Sequence, residues 1–283
     1  MAIRVVLGLV DGGPASEAAA EAALRVADQF AAHLQLLHVR PDPESLVPMI
    51  GEGMSGVMLD QMVEGFRTES LERAAGARRL YDALSARRAG VPADGKATLA
   101  FREEEGREDE VAAQLARLHD VTVLARMERQ AGAPASVTLE SVLLHSGRPV
   151  LVAPSEPVRS IGRKIVVAWN GKMQAARALA ASLPFLARAD TVTILTAVES
   201  HTAGRPGEVV RYLSWHGIRA EPVEVPAQSP GKVGHILLDH VAQSGADLLV
   251  MGAYGHSRLK EMILGGATRE VLGHAPLPVL MAH

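Results

Sequence analysis

Short apolar runs alternate with longer Ala-rich amphipathic stretches along this chain, and the alternation runs through twice. In the first half short strand-like runs fall at 4–11, 34–39, 97–101 and 120–125, with another ending Val150-Leu-Val-Ala153; the first, like its counterpart at 163–170, is continuous and rich in β-branched residues. Strands covered on both faces have this pattern. Between them, 16–32, 62–89 and 108–118 have the length and composition of helices. The second half repeats the scheme, with strands at 163–170, 192–198, 220–225 and 247–252 and a last one before Ala282. Helices are expected there at 175–187, 206–216 and 231–244, with another starting at Thr268. Alternating strands and helices predict parallel βαβ units with right-handed crossovers.

The halves also match in detail. Arg4-Val-Val-Leu-Gly-Leu-Val-Asp11-Gly12 parallels Arg163-Lys-Ile-Val-Val-Ala-Trp-Asn170-Gly171, and Asp120-Val-Thr-Val-Leu-Ala125 parallels Asp247-Leu-Leu-Val-Met-Gly252. The segment ending at Ala153 likewise parallels the one ending at Ala282. A short linker, Pro154-Ser-Glu-Pro-Val-Arg-Ser-Ile-Gly162, separates two expected domains at 1–154 and 163–283. Its brevity implies that they pack together. Residues 41–60, rich in Pro, Gly and Met, form the main irregular stretch, a mobile connection or lid.

The strongest chemical signal follows the run at 247–252. Gly252, Gly255 and Gly265 are spaced Gly-x2-Gly-x9-Gly, and Gly266, Ala267 and Thr268 lead into a helix. Glycines let a ligand approach the backbone, and free N–H groups at a helix start suit phosphate. His256 and Arg258 lie inside this loop as candidate phosphate contacts. The first half has lost the glycines: Ala125 and Glu128 stand at the first two positions and Ser136-Val137 at the later ones. Glu128 opposes phosphate, and Arg126 and Arg129 are the nearby cations that could compensate.

These features resemble the universal stress protein family in its tandem two-domain form. The resemblance covers nearly the whole chain, and its glycine motif falls in the second half. It implies an α/β fold of two similar doubly wound domains, each a five-stranded parallel sheet in the order 3-2-1-4-5 with helices on both faces. It also implies that the domains face each other through their last strands, an internal pseudo-dimer that leaves room for a homodimer. Members that bind ATP hold it where the strand order reverses. Carried over by position, Ala168, Trp169 and Asn170 would line the adenosine side, with Ala197 and Val198 near the base. Gly252 and Gly255 would approach ribose and phosphates, and Gly265, Gly266, Ala267 and Thr268 would face the phosphates. The chain departs from the family in two places. Gly266 stands where ATP binders carry Ser or Thr, and Asn170 replaces the acid that can hold Mg²⁺, a cation that favours carboxylates.

Composition narrows the alternatives. The chain has 283 residues, 48% hydrophobic and 22% charged, with a formal net charge of -3. Basic patches with interleaved aromatics are missing, which argues against nucleic acid. There are no cysteines, so disulfides, thiolate metal sites and Cys nucleophiles are excluded. The Gly-x-Ser-x-Gly elbow and the Lys-Ser/Thr ending of a P-loop do not occur. No run approaches the ~20 apolar residues of a membrane span. Among the eleven histidines, His235 and His240 lie five apart, the wrong spacing for one helix face. Asp11 is equally a turn residue or a ligand. The acidic run 102–110 reads as a solvated loop and helix start. The expectation is a cytoplasmic, stress-associated sensor of an adenine nucleotide, with no catalytic or metal residues and an unidentified protein partner. A non-nucleotide interaction module and a slow ATPase are the rivals.

Overall fold

A computed structural model describes residues 2–41, 56–88, 97–126, 137–198, 205–226, 233–253 and 266–283. The first half contributes strands β1 (Val5–Leu9), β2 (His33–Arg40), β3 (Thr98–Glu105), β4 (Val121–Ala125) and β5 (Val150–Ala153). The second contributes β6 (Lys164–Ala168), β7 (Thr191–Val198), β8 (Glu221–Pro226), β9 (Leu248–Gly252) and β10 (Val279–Ala282). All ten lie in one sheet, in the order β3-β2-β1-β4-β5-β10-β9-β6-β7-β8. Each half therefore has the order 3-2-1-4-5, with every pairing inside a half parallel. The halves meet where β5 pairs antiparallel with β10, Leu151 opposite Leu280.

Eight helices are present among the described residues: α1 (Pro14–Phe30), α2 (Gly56–Arg88), α3 (Glu108–Ala116), α4 (Val137–His145), α5 (Met173–Leu186), α6 (Pro206–Trp215), α7 (Val233–Ser244) and α8 (Gly266–His274). Alternate strand residues point to opposite faces, which divides the core in two. On one face Val6, Leu34, Leu151, Ile165 and Leu280 pack under α1, α2, α5 and α6. On the other Leu7, Leu37, Val166, Leu249 and Val279 pack under α3, α4, α7 and α8. The architecture is doubly wound, and each core layer runs unbroken through both halves.

The helix limits have local causes. Pro14 opens α1, where its missing N–H costs no hydrogen bond, and Ala31 closes it in the left-handed region at φ 50°. Ala19, Ala20, Ala22, Ala23 and Ala27 are almost wholly buried, and their small size lets α1 lie close on the sheet. Helix α2 starts at Gly56 and thus takes in the end of the expected irregular stretch, whose residues 42–55 lie outside the described set.

The internal repeat is visible in the bonding. Asp120 accepts hydrogen bonds from the backbone N–H groups of Arg4 and Val5 at 2.7 and 3.1 Å. Asp247 accepts the equivalent pair from Arg163 and Lys164 at 3.2 and 2.8 Å. Each aspartate ties the start of a fourth strand to the start of a first. Side chains join the halves as well. Phe30 and Phe185 meet edge to face at 5.0 Å, and the Arg188 guanidinium stacks over Phe30 at 4.5 Å while donating to the Gln29 carbonyl.

The acidic run departs from expectation. Arg102, Glu103, Glu104 and Glu105 belong to β3, paired with Leu37 through Arg40 of β2. An edge strand has one flank in water, so consecutive charges are tolerated there and discourage pairing with another sheet. Arg40 holds Glu105 at 2.8 Å and Glu103 at 3.4 Å. At the far edge β8 is protected by Pro222 and Pro226 with Glu221 and Glu224.

Candidate functional site

The strand order of the second half reverses between β6 and β9, and ligands of open α/β sheets lie in such a crevice beyond the carboxyl ends of the strands. Ala168 pairs with Met251, so the turn at Trp169, Asn170 and Gly171 emerges beside Gly252. The Trp169 N–H donates to the Leu195 carbonyl at 2.8 Å, which fixes the same turn against β7. Ala197 and Val198, both half-buried, end that strand two and three residues beyond Leu195. Gly266 and Ala267 open α8, with Gly266 exposed, and Thr268 is buried in its first turn. Gly255 and Gly265, with His256 and Arg258, lie outside the described residues. Register thus brings Ala168, Trp169, Asn170 and Gly252 to one end of the sheet, with Ala197 and Val198 on the flanking strand.

Gly252 has a packing reason of its own. A Cβ there would stand 2.5 Å from the Ala175 amide nitrogen and 2.9 Å from Gln174 Cβ, because the start of α5 lies directly over the end of β9. Asn170 likewise has local work. Its Oδ1 accepts the Lys172 N–H at 3.1 Å, and Gly171 follows at φ +71°, where glycine is favoured. An amide oxygen already engaged in a turn is a poor ligand for Mg²⁺.

Asp11 occupies the same turn in the first half. Its Oδ1 accepts the Gly13 N–H at 2.8 Å and the Ser16 hydroxyl, while the Asp11 N–H donates to Ser16 Oγ at 2.9 Å. Burial opposes the charge of this carboxyl, but those hydrogen bonds and the Arg73 guanidinium prevail and hold its pKa below the ordinary Asp value. Arg73 lies 3.8 Å from Asp11 and 2.8 Å from Glu69. Helix α2 presses on the turn: the Arg73 carbonyl reaches Gly12, at φ +78°, and a Cβ on Gly76 would stand 2.8 Å from the Gly12 oxygen.

Arg126, the described cation at the start of the degenerate loop, is already committed. The Arg126 guanidinium donates to the Ala275 carbonyl at 2.6 Å and to Ser155 Oγ at 3.4 Å, joining the halves. Arg126 therefore does not compensate for the lost glycines; Glu128 and Arg129 lie outside the described residues. The sequence reading also missed a cavity of about 300 Å³ at the carboxyl ends of β1 and β2, walled by α2 and the start of α3. Its only sequence trace is polar residues in apolar or helical runs, His38 and Ser70.

Among the described residues no group of three or more His, Asp or Glu is placed to hold a metal ion. His235 and His274 instead share the Glu270 carboxylate, at 3.3 and 3.2 Å, across α7 and α8. No helix among the described residues is long and apolar enough to cross a membrane.

Fold and crevice define a tandem doubly wound α/β protein whose two halves share one continuous sheet. The family model described as the universal stress protein family matches residues 218–283. A universal stress protein of Synechocystis sp., Slr1230, is 27% identical over 151 residues, covering 50% of this chain and 49% of that protein. YxiE, a universal stress protein of Bacillus subtilis, is 35% identical over 65 residues, covering 23% of this chain and 41% of that one. The chain thus spans half or less of the length of these two relatives. The crystal structure of a universal stress protein from Archaeoglobus fulgidus superposes with a TM-score of 0.65 at 17% identity, covering 98% of this chain and 97% of that one, a likeness of fold. The family match lies within the second half, and over the whole chain the likeness to universal stress proteins is one of fold.

Proposed function

We propose that the second half binds an adenine nucleotide, ATP or AMP in type, and that the protein senses this ligand in a stress response rather than transforming it. Residues 1–154 and 163–283 are its two domains in this reading. The observation that carries it is the sequence spacing of Gly252, Gly255 and Gly265, with Gly252 ending β9 beside the crevice and α8 starting at Gly266. Phosphate would meet the backbone N–H groups of Gly266, Ala267 and Thr268. Adenosine would lie against Ala168, Trp169 and Asn170, with Ala197 and Val198 beside the base. Asn170 in place of an acid supports binding with little help from Mg²⁺ and speaks against hydrolysis.

Calorimetry with ATP, AMP and cyclic AMP, with and without Mg²⁺, tests the reading. Gly266→Glu is the informative variant, because Gly266 is exposed and no described residue stands within 4 Å of a Cβ there. Saturable binding abolished by Gly266→Glu supports the proposal. Heat absent at millimolar nucleotide sinks it in favour of a non-nucleotide interaction module of the same fold. Turnover of labelled ATP lost in the same variant would make the protein a slow ATPase.

A further inference from the structure

The first half has a cavity of its own, of about 300 Å³, at the carboxyl ends of β1 and β2 among Asp11, His38, Phe66, Glu69, Ser70 and Glu108. Its volume falls at the lower end of small-molecule sites. Two of its polar side chains are buried and unsatisfied: His38 is 3% exposed and Ser70 6%, and among the described residues neither His38 Nε2 nor Ser70 Oγ has a hydrogen-bond partner. The His38 ring is oriented by its other nitrogen, which lies 2.9 Å from the Val10 carbonyl. A carbonyl only accepts, so Nδ1 carries the hydrogen, and in the neutral ring Nε2 is left as an acceptor. Buried polar atoms without partners are uncommon, and two in the wall of one cavity suggest a missing donor.

The charges agree. Among the described lining residues Asp11, Glu69 and Glu108 face one cation, Arg73, which Glu69 and Asp11 already engage. A cleft lined with one sign of charge concentrates ligands of the other. Phosphate is disfavoured by all three acids. Phe66 and Val39 add an aromatic face and an apolar wall, suited to an organic body and to cation–π contact rather than to a bare metal ion. We propose that this cavity binds a small organic cation, an ammonium or guanidinium compound, independently of the nucleotide site in the second half. The acids meet the cation's charge and Phe66 its face, while Ser70 and His38 accept its N–H groups after a small adjustment of their side chains. The two halves would then report on ligands of opposite charge through the shared sheet.

Agmatine, which carries both an ammonium and a guanidinium group, is the probe, with AMP as the probe of opposite charge. Titration calorimetry on the full chain should show saturable agmatine binding that Asp11→Asn with Glu108→Gln weakens about tenfold or more, the effect of losing one or two charge-assisted hydrogen bonds. Both changes keep side-chain shape, and Asn already serves the equivalent turn at Asn170. Gly266→Glu should leave agmatine binding unchanged. In nitrogen NMR the His38 Nε2 resonance should shift with agmatine and not with AMP. Agmatine heat absent at millimolar concentration overturns the proposal. So does binding that the double variant retains, or an AMP that displaces agmatine.

Discussion

Gly252 and Ala175 touch through their backbones. The space that a Cβ on Gly252 would need lies 2.5 Å from the Ala175 amide nitrogen. A glycine that the nucleotide reading assigns to ligand approach is thus also required for seating α5 on β9. Gly252→Ala should therefore destabilise the protein by about 1–3 kcal/mol, the usual cost of overpacking. Urea denaturation of the ligand-free chain measures this. Unchanged stability would leave nucleotide approach as the reason for the glycine.

Gly266 is the opposite case, since no described residue stands within 4 Å of a Cβ there. Gly266→Ser supplies the hydroxyl that the family resemblance leads one to expect here and places it at the N-terminus of α8. Hydrogen bonds to charged groups contribute about 1.5 kcal/mol, so nucleotide affinity should rise by about tenfold, with stability nearly unchanged. Calorimetric Kd values for the two chains decide it, and equal or weaker binding by the serine variant counts against phosphate at this end of α8.

Much of this was legible in the residues. The apolar runs marked the strands because buried parallel strands have little polar sequence, and the repeated Asp120 and Asp247 showed that one βαβ plan is used twice. The acidic run 102–105 misled because water on the free flank of an edge strand permits charges that an inner strand excludes, and because its partner Arg40 is distant in sequence. The roles of Gly252 and Arg126 were hidden for a similar reason. Their contacts, Ala175 and Ala275, are set by helix packing and by the β5–β10 pairing, neither of which leaves a local pattern. The first-half cavity depends on α2 crossing the turn at Gly12, which only the tertiary structure reveals.

Asp11 should leave an acid signature. Burial raises its pKa, but the Ser16 and Gly13 hydrogen bonds and Arg73 more than offset this, so the folded value lies below the ordinary 3.8. The unfolded chain then binds the proton more readily. The stability contributed by the carboxylate is fully present above the ordinary value and is lost as pH falls through the lower folded value. Asp11→Asn keeps the turn but cannot titrate. Its urea midpoint should fall less than that of the parent chain between neutral pH and the acid side of 3.8; parallel curves would refute the assignment.

His119 acts at higher pH and through burial. It is 7% exposed, with Nδ1 bonded to the Leu115 carbonyl at 2.8 Å in the turn between α3 and β4. Burial disfavours the imidazolium more than the carbonyl and Asp120 favour it, and His33 and Arg102 add repulsion, so the folded pKa lies below 6.5. Here too the unfolded state takes up the proton first. Stability from the neutral ring is complete above 6.5 and declines as pH falls from there through the folded pKa. The His119 ring resonance should titrate with a midpoint below 6.5, and His119→Gln should flatten that part of the stability curve. A midpoint at or above 6.5 would mean that Asp120 and the Leu115 carbonyl outweigh burial, and the mild-acid loss of stability would then have to arise elsewhere.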